Sequence, residues 1–431
     1  MANREAHLPG QDLPVQVLFL STSDISGGAA RAAYRLFQGV QQLDIPSVMW
    51  VQSKSGDHEA VIAPNRKLDK GWAALRPSLD EIPQRLLGRM GTLPLSPQWF
   101  PDGLSRKIKN LNPQVVHLHW INKGFVRIES LPKFPGRLVW TLHDMWPFTG
   151  GCHYSQDCRR YEGQCGACPQ MNSQKDNDLS RWVWRRKAGA WRELDLTIVC
   201  PSHWMGECAS RSSLFRGKRI EVIGYGIDTQ HFRPMDRQLA RSWLGLPQDK
   251  VLVLFSASGG LANPYKGFHL LVEALARLAG RGWGERLELV VMGASGWQGQ
   301  ASLAVKTHFL GFLHDEVSQA LVYNAADLFL APSIQDNLPN TVLEALACGA
   351  PCVAFNSGGI PDLVDHELNG YLAKSMDVDD FVHGIEWVLG DTERRKRLGQ
   401  AARAKVEKDF ELVQQAQKYA RLYEEILHHA D

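Results

Sequence analysis

Two carboxylates and one lysine stand where this sequence turns from strand to helix. In APSIQDNLPNTVLEALACGAPCVAF, Asp336 and Asn337 lie in a polar loop after a strand that ends near Ala331, and a helix opens near Pro339–Asn340. Proline suits the first helical turn. Glu344, eight positions after Asp336, falls on the second turn, and Gly349 stops the helix. Both acids are expected at the carboxyl end of a strand beside a helix N-terminus that can hold a diphosphate. A carboxylate there accepts paired hydrogen bonds from sugar or ribose hydroxyls. Lys266-Gly267 opens another helix after a strand ending near Ser256, and GGIPDLV (Gly358–Val364) is a further glycine-rich turn. A lysine beside such turns neutralises a diphosphate leaving group. Singly, each feature also fits a loop acid, a solvated helix residue or an ordinary turn. Their recurrence in βα units carries the reading.

The elements that must position these residues come in two series. QVLFLS (Gln16–Ser21) leads through Gly27 and Gly28 into an alanine-rich helix, and VLVLFSASGG (Val251–Gly260) leads into KGFHLLVEALARLAG. PQVVHLHW, RLVWTLHD and DLTIVCPS follow in the first half; LELVVMG, DLFLAPS and APCVAF follow in the second. Strands rich in Val, Leu and Phe without polar alternation are buried on both faces, as in a parallel sheet covered by helices. Ligands of such sheets sit at the carboxyl ends of the strands. The expected fold is therefore α/β, with two Rossmann-like domains whose parallel sheets face across a cleft. The first spans residues 1–225, the second 226–410, and residues 411–431 form a terminal helix packing back on the first. The Gly/Pro-containing connector Gly224–Pro234 joins them. The proline-rich stretch from about Asp57 to Asp102 shows little periodicity and reads as a loop-rich excursion.

With 431 residues the chain is too long for one compact core, and a net charge of +2 gives no global field for nucleic acid. No stretch approaches the roughly 20 apolar residues that span a bilayer. MANREAHLPGQDLPVQVLFLS lacks the basic start and long apolar run of a signal peptide. A cytoplasmic location is expected, where thiols stay reduced. Four cysteines nonetheless crowd into GGCHYSQDCRRYEGQCGACPQ. Cys152, Cys158, Cys165 and Cys168 are spaced C-x5-C-x6-C-x2-C. Four thiolates complete a tetrahedral structural zinc shell, the favoured reading over free thiols or two disulfides. His117 and His119 alternate on a strand and are expected to face opposite sides, too far apart to share a metal. His143, where TLHD ends a strand, is expected near the cleft.

In its motifs the chain resembles the retaining nucleotide-sugar glycosyltransferases of family 4, which have the two-Rossmann glycosyltransferase-B fold. SGGAARAA, VVHLHW, TLHD and CPSHW carry the likeness in the first half. GIDTQHFRP, Lys266-Gly267, AADLFLAPS, LPNTVLEALACGAPCVAF, GGIPDLV and NGYLA carry it in the second. THDMWPFTGGCHYS is similar to the capsule and exopolysaccharide (colanic-acid-type) subgroup. The resemblance implies a UDP- or GDP-linked sugar donor, with Glu344 on the ribose, Asp336 on the donor sugar and Lys266 on the diphosphate. Asn337 and Leu338 belong to the same implied donor site. Gly27 and Gly28 would let the first domain's loop approach donor and acceptor, and His143 would lie near the transferred sugar. No catalytic divalent metal is implied, because Lys266 and helix N-termini take its place. Two departures stand out: the family's paired acids are usually both Glu, and an Arg usually precedes the lysine, whereas SASGGLANPYKG has none.

The implied activity is retaining transfer of a hexose to a glycan or lipid-linked acceptor in polysaccharide biosynthesis, with closure about the connector excluding water. A sugar-nucleotide epimerase of the same fold and a non-catalytic sugar-nucleotide-binding protein are the alternatives. Residues 181–219 carry nine basic residues against three acids, interleaved with Trp182, Trp184, Trp191 and Trp204. That composition suits peripheral contact with an anionic membrane face. It suits better an ordinary helix whose tryptophans pack inward.

Overall fold

In a computed structural model, residues 16–87, 95–256, 260–297 and 303–428 are described. Residues 257–259, within the run read as leading from Val251 to Gly260, lie outside them. The chain forms two compact units, one of residues up to Ile223 together with those from Gln415 onward, the other Gly224–Gln414.

The first unit is built on strands β1 (Val17–Ser23), β2 (Ser47–Ser53), β3 (Val61–Ile62), β4 (Val115–Leu118), β5 (Arg137–Thr141), β6 (Leu196–Cys200) and β7 (Arg219–Val222). They hydrogen-bond in the order β3-β2-β1-β4-β5-β6-β7, and every pairing is parallel. Alternate residues of β1 go to opposite faces: Leu18 and Leu20 join one buried cluster, Val17 and Phe19 the other. This is the two-sided burial that the continuous apolar runs require. Ala416, Tyr419, Tyr423 and Ile426 of the C-terminal helix (Leu412–His428) complete the second cluster.

The second unit contains β8 (Val251–Ser256), β9 (Leu287–Met292), β10 (Thr307–Phe309), β11 (Leu328–Ala331), β12 (Cys352–Phe355) and β13 (Gly370–Ala373). Their order is β10-β9-β8-β11-β12-β13, again all parallel. In both sheets the order reverses direction beside the first strand, between β1 and β4 and between β8 and β11. Such topological switch points open the crevice in which ligands bind.

The stretch read as loop-rich instead holds helices at Lys67–Asp80 and Ile82–Leu87. The apolar period is missing because the first of these buries polar side chains: Arg76 Nε donates to Gly124 O at 2.7 Å, and Asp80 accepts from Trp99 N at 3.3 Å. Its Leu68, Trp72 and Leu75 face outward. Among the described residues no helix is long and apolar enough to cross a membrane.

Candidate active site

The switch point of the second sheet is where the chemistry-bearing residues of that unit meet. Lys266 ends a short 3-10 turn (Pro264–Lys266) after β8, and Asp336 lies in the loop after β11, the neighbouring strand. Lys266 Nζ donates to Asp336 Oδ2 at 2.7 Å, both side chains being largely buried. The other carboxylate oxygen, Oδ1, accepts from Asn337 N at 3.0 Å. Glycines let the loops around this pair pack closely. Gly267 has φ +66°, and a Cβ there would stand 1.8 Å from Pro332 O. Gly358 has φ +55°, its Cβ would stand 1.9 Å from Asp336 O, and Gly359 N donates to that same oxygen at 3.0 Å. A side chain at Gly267 would push the loops after β8 and β11 apart, and one at Gly358 would push the loop after β12 away from Asp336.

Glu344 sits on the helix Asn340–Ala347, which begins after Pro339 and buries Val342, Leu343 and Leu346. Glu344 is itself buried, and Tyr323 Oη donates to its Oε2 at 2.8 Å. Asn337 and Leu338 are buried in the connecting loop. The structure thus brings Lys266, Asp336 and Asn337 together and pairs Glu344 with Tyr323. Sequence reasoning missed that tyrosine, which nothing in its local pattern marks.

In the first unit, Gly27 (φ +96°) caps the helix Gly28–Gln41 with no side-chain hydrogen bond, and a Cβ there would meet open space. Asp24, also missed, clamps this loop: its carboxylate accepts from Ile25 N, Ser55 N and Gly56 N at 2.8–3.0 Å. Beside it a cavity of about 1250 Å³ is lined by Thr22, Gly27, Gly28, Lys54, Trp120 and Lys123, among others.

His143 follows β5 and is buried beside His119, whose Nδ1 lies 3.0 Å from His143 Nε2. His117 Nδ1 meets Tyr423 Oη at 2.7 Å and its Nε2 meets Thr141 Oγ1 at 2.8 Å. The expectation that His117 and His119 face opposite sides is corrected. Their ring centroids are 4.2 Å apart, because residues two apart on a strand share a face. Burial depresses all three, His143 to about 4 and the other two well below the usual imidazole range, so the cluster is neutral near pH 7. His119 Nε2 is buried with no partner. An orphaned N–H costs more than an orphaned lone pair, which assigns the His119 proton to Nδ1, donated to His143 Nε2. Asp144 accepts from His153 Nδ1 at 2.7 Å, Trp120 Nε1 at 2.8 Å and Trp146 N at 2.9 Å. These bonds and the His153 ring hold its carboxyl below the usual range against the opposing effect of burial.

Zinc ligation by Cys152, Cys158, Cys165 and Cys168 stays a proposal: the four thiols lie near enough to raise one another's pKa. Among the described residues no group of three or more His, Cys, Asp or Glu side chains is placed to hold a metal ion. Cys165 and Cys168 border the apolar core of the first unit, and Cys165 Sγ accepts from Gly150 N at 3.1 Å. Burial pushes the Cys165 thiol up to about 12 and raises Cys152 and Cys168 as well. Of the tryptophans of 181–219, Trp191 is buried in the core and Trp184 and Trp204 pack against it, whereas Trp182 is 41% exposed beside the Arg186 guanidinium.

Comparison with known proteins agrees with this architecture. Residues 26–231 match the family described as Glycosyltransferase Family 4, and residues 236–405 match Glycosyl transferases group 1. D-inositol 3-phosphate glycosyltransferase of Saccharomonospora viridis is 35% identical over 197 residues, 43% of this chain and 45% of that relative. The Nocardia farcinica enzyme of the same name is 33% identical over 192 residues, 42% of each chain. The chain thus spans less than half the length of these curated relatives. Sucrose-phosphate synthase of Thermosynechococcus elongatus superposes with a TM-score of 0.68 at 17% identity, covering 96% of this chain and 100% of that one. Anabaena HepE in complex with UDP-glucose gives 0.62 at 19% identity, covering 95% and 99%. Two parallel-sheet Rossmann-like units of this kind make up the glycosyltransferase-B fold. By its two successive matches, the chain is of the group 1/family 4 glycosyltransferase type.

Proposed function

We propose that this protein is a retaining glycosyltransferase that moves a hexose from a UDP- or GDP-linked donor to a glycan or lipid-linked acceptor in polysaccharide biosynthesis. The observation that carries the reading is the Lys266–Asp336 pair at the switch point between β8 and β11. The group 1 match over the same unit and the UDP-glucose of the HepE complex support a nucleotide-sugar donor.

In this reading Asp336 holds the Lys266 ammonium in place, and the ammonium meets the diphosphate, whose negative charge grows as the glycosidic bond to phosphate breaks. A partner already oriented costs no reorganisation at that moment. Glu344, fixed by Tyr323, accepts from the ribose hydroxyls. Gly27 and Gly28 leave backbone exposed to the acceptor, and neutral His143 offers a hydrogen bond to the sugar. The leaving diphosphate departs from the face on which the acceptor hydroxyl attacks, and its oxygen takes the acceptor's proton. The acid at position 336 is one methylene shorter than the family's usual Glu, and Lys266 occupies its reach.

The test is incubation with a panel of nucleotide hexoses and glycan or lipid-linked acceptors, following nucleoside diphosphate release and the anomeric coupling of the product by NMR. Transfer with the donor's anomeric configuration kept supports the reading. Donor turnover without acceptor, giving an isomerised sugar, would favour the epimerase instead.

A further inference from the structure

At the opposite edge of the second sheet, where β8 and β11 begin, three guanidinium groups converge on one carboxylate. Asp327, just before β11, accepts from Arg237 Nη1 at 2.9 Å, Arg241 Nη2 at 2.7 Å and Leu252 N at 2.9 Å. Arg395 Nη2 stands further off, at 3.6 Å from Asp327 Oδ1. Arg241 is otherwise satisfied, donating to the carbonyls of Ala325 and Lys250 at 2.9 and 3.0 Å. Arg237 is not: its Nε–H is buried with no partner. Burial depresses its guanidinium, Asp327 opposes that, and the Arg395 and Arg241 charges add a smaller depression.

These side chains line a cavity of about 360 Å³ that holds four cationic residues, Arg237, Arg241, Lys250 and Arg395, against two acids, Asp249 and Asp327. An adjoining cavity of about 450 Å³ shares Arg237 and Arg395 and adds Lys396 and Arg403 against Glu407. One carboxylate does not neutralise three guanidinium groups, two of which, Arg241 and Arg395, are largely buried, and such charge favours a counter-ion. Guanidinium forks match the oxygens of a phosphoryl group, and two surplus charges match a dianion. We infer that this basic cavity binds a dianionic phosphoryl group, either free phosphate or the phosphate of a small monoester. It lies one strand length, roughly 13–20 Å, from the carboxyl-end loops that carry Lys266 and Asp336, so it is separate from the proposed donor site.

The experiment titrates inorganic phosphate, and separately a hexose monophosphate, into the full chain at constant ionic strength set with chloride, read by calorimetry and by Tm. The wild type is expected to bind one equivalent at this site, with a Tm that climbs with phosphate concentration. Arg395→Gln and Arg237→Gln should each weaken that binding at least tenfold, whereas Lys266→Ala should leave it intact. Arg237, 41% exposed at its side chain, gives a variant whose folding depends little on the substitution. A monoester that binds tenfold more tightly than phosphate identifies a phosphorylated metabolite as the ligand, and equal affinity identifies free phosphate. No saturable binding by the wild type would overturn the inference. So would binding that survives both arginine variants and disappears in Lys266→Ala.

Discussion

Lys266 Nζ and Asp336 Oδ2, 70 residues apart in the chain, are 2.7 Å apart in the fold. The contact exists because β8 and β11 are sheet neighbours and Gly267 lets the following loops touch. The first prediction follows directly. Lys266→Ala should lower kcat/KM by about 10²–10³-fold, the usual loss for a group that stabilises transition-state charge. Asp336→Asn should lose less, since the ammonium stays but is no longer oriented. A double-mutant cycle on donor turnover should show strong coupling between the two; additive losses would mean that the pair does not act as a unit.

Gly267→Ala and Gly358→Ala should each impair donor binding without touching a donor. A methyl group at either position meets a backbone oxygen within 2 Å, so one loop must move. Calorimetric donor titration of the folded variants reads this. The control is Gly245→Ala, whose Cβ meets nothing within 4 Å although its φ is also positive. It should change stability by only about 1 kcal/mol and donor affinity not at all.

Glu344→Gln should weaken donor binding by about 1.5–3 kcal/mol, roughly 10- to 150-fold, through the loss of charge-assisted hydrogen bonds. Tyr323→Phe removes one of the bonds that orient Glu344, so it should show the same direction with a smaller loss. Equal donor affinity in wild type and Glu344→Gln would take this acid out of the nucleotide site.

The buried histidines set a pH dependence. Their imidazoles titrate lower in the folded chain than the ordinary 6.5, His143 near 4, so the unfolded chain binds more protons across that interval. Stability is therefore complete above about pH 6.5 and is lost as pH falls toward 4, by a few kcal/mol in sum. Tm measured between pH 8 and 5 should decline on the acid side, and His143→Asn should flatten the slope. A Tm profile independent of this substitution would contradict the neutral cluster.

Lys266, Asp336 and Glu344 were legible singly, because each stands on a strand-to-helix turn whose apolar strand and punctuating glycine are local signals. Their pairing was not. It depends on β11 inserting next to β8 rather than next to β10, a fact of sheet order that no local pattern holds. Periodicity misled in one place through its application: His117 and His119 are two apart and so share a face. Cysteine spacing counts residues without saying where sulfurs point; the fold brings the four thiols near one another. The helix Lys67–Asp80 escaped notice because Arg76 and Asp80, not an apolar stripe, anchor it.

The most direct measurement is a calorimetric comparison of nucleoside, nucleoside diphosphate and nucleotide hexose, for uridine and guanosine, binding to wild type and to Lys266→Ala. The account predicts that one base series binds the wild type, that its diphosphate and nucleotide hexose lose at least tenfold in Lys266→Ala, and that its nucleoside is unaffected. Failure of both series to bind the wild type would contradict it, as would equal loss for the nucleoside and its diphosphate.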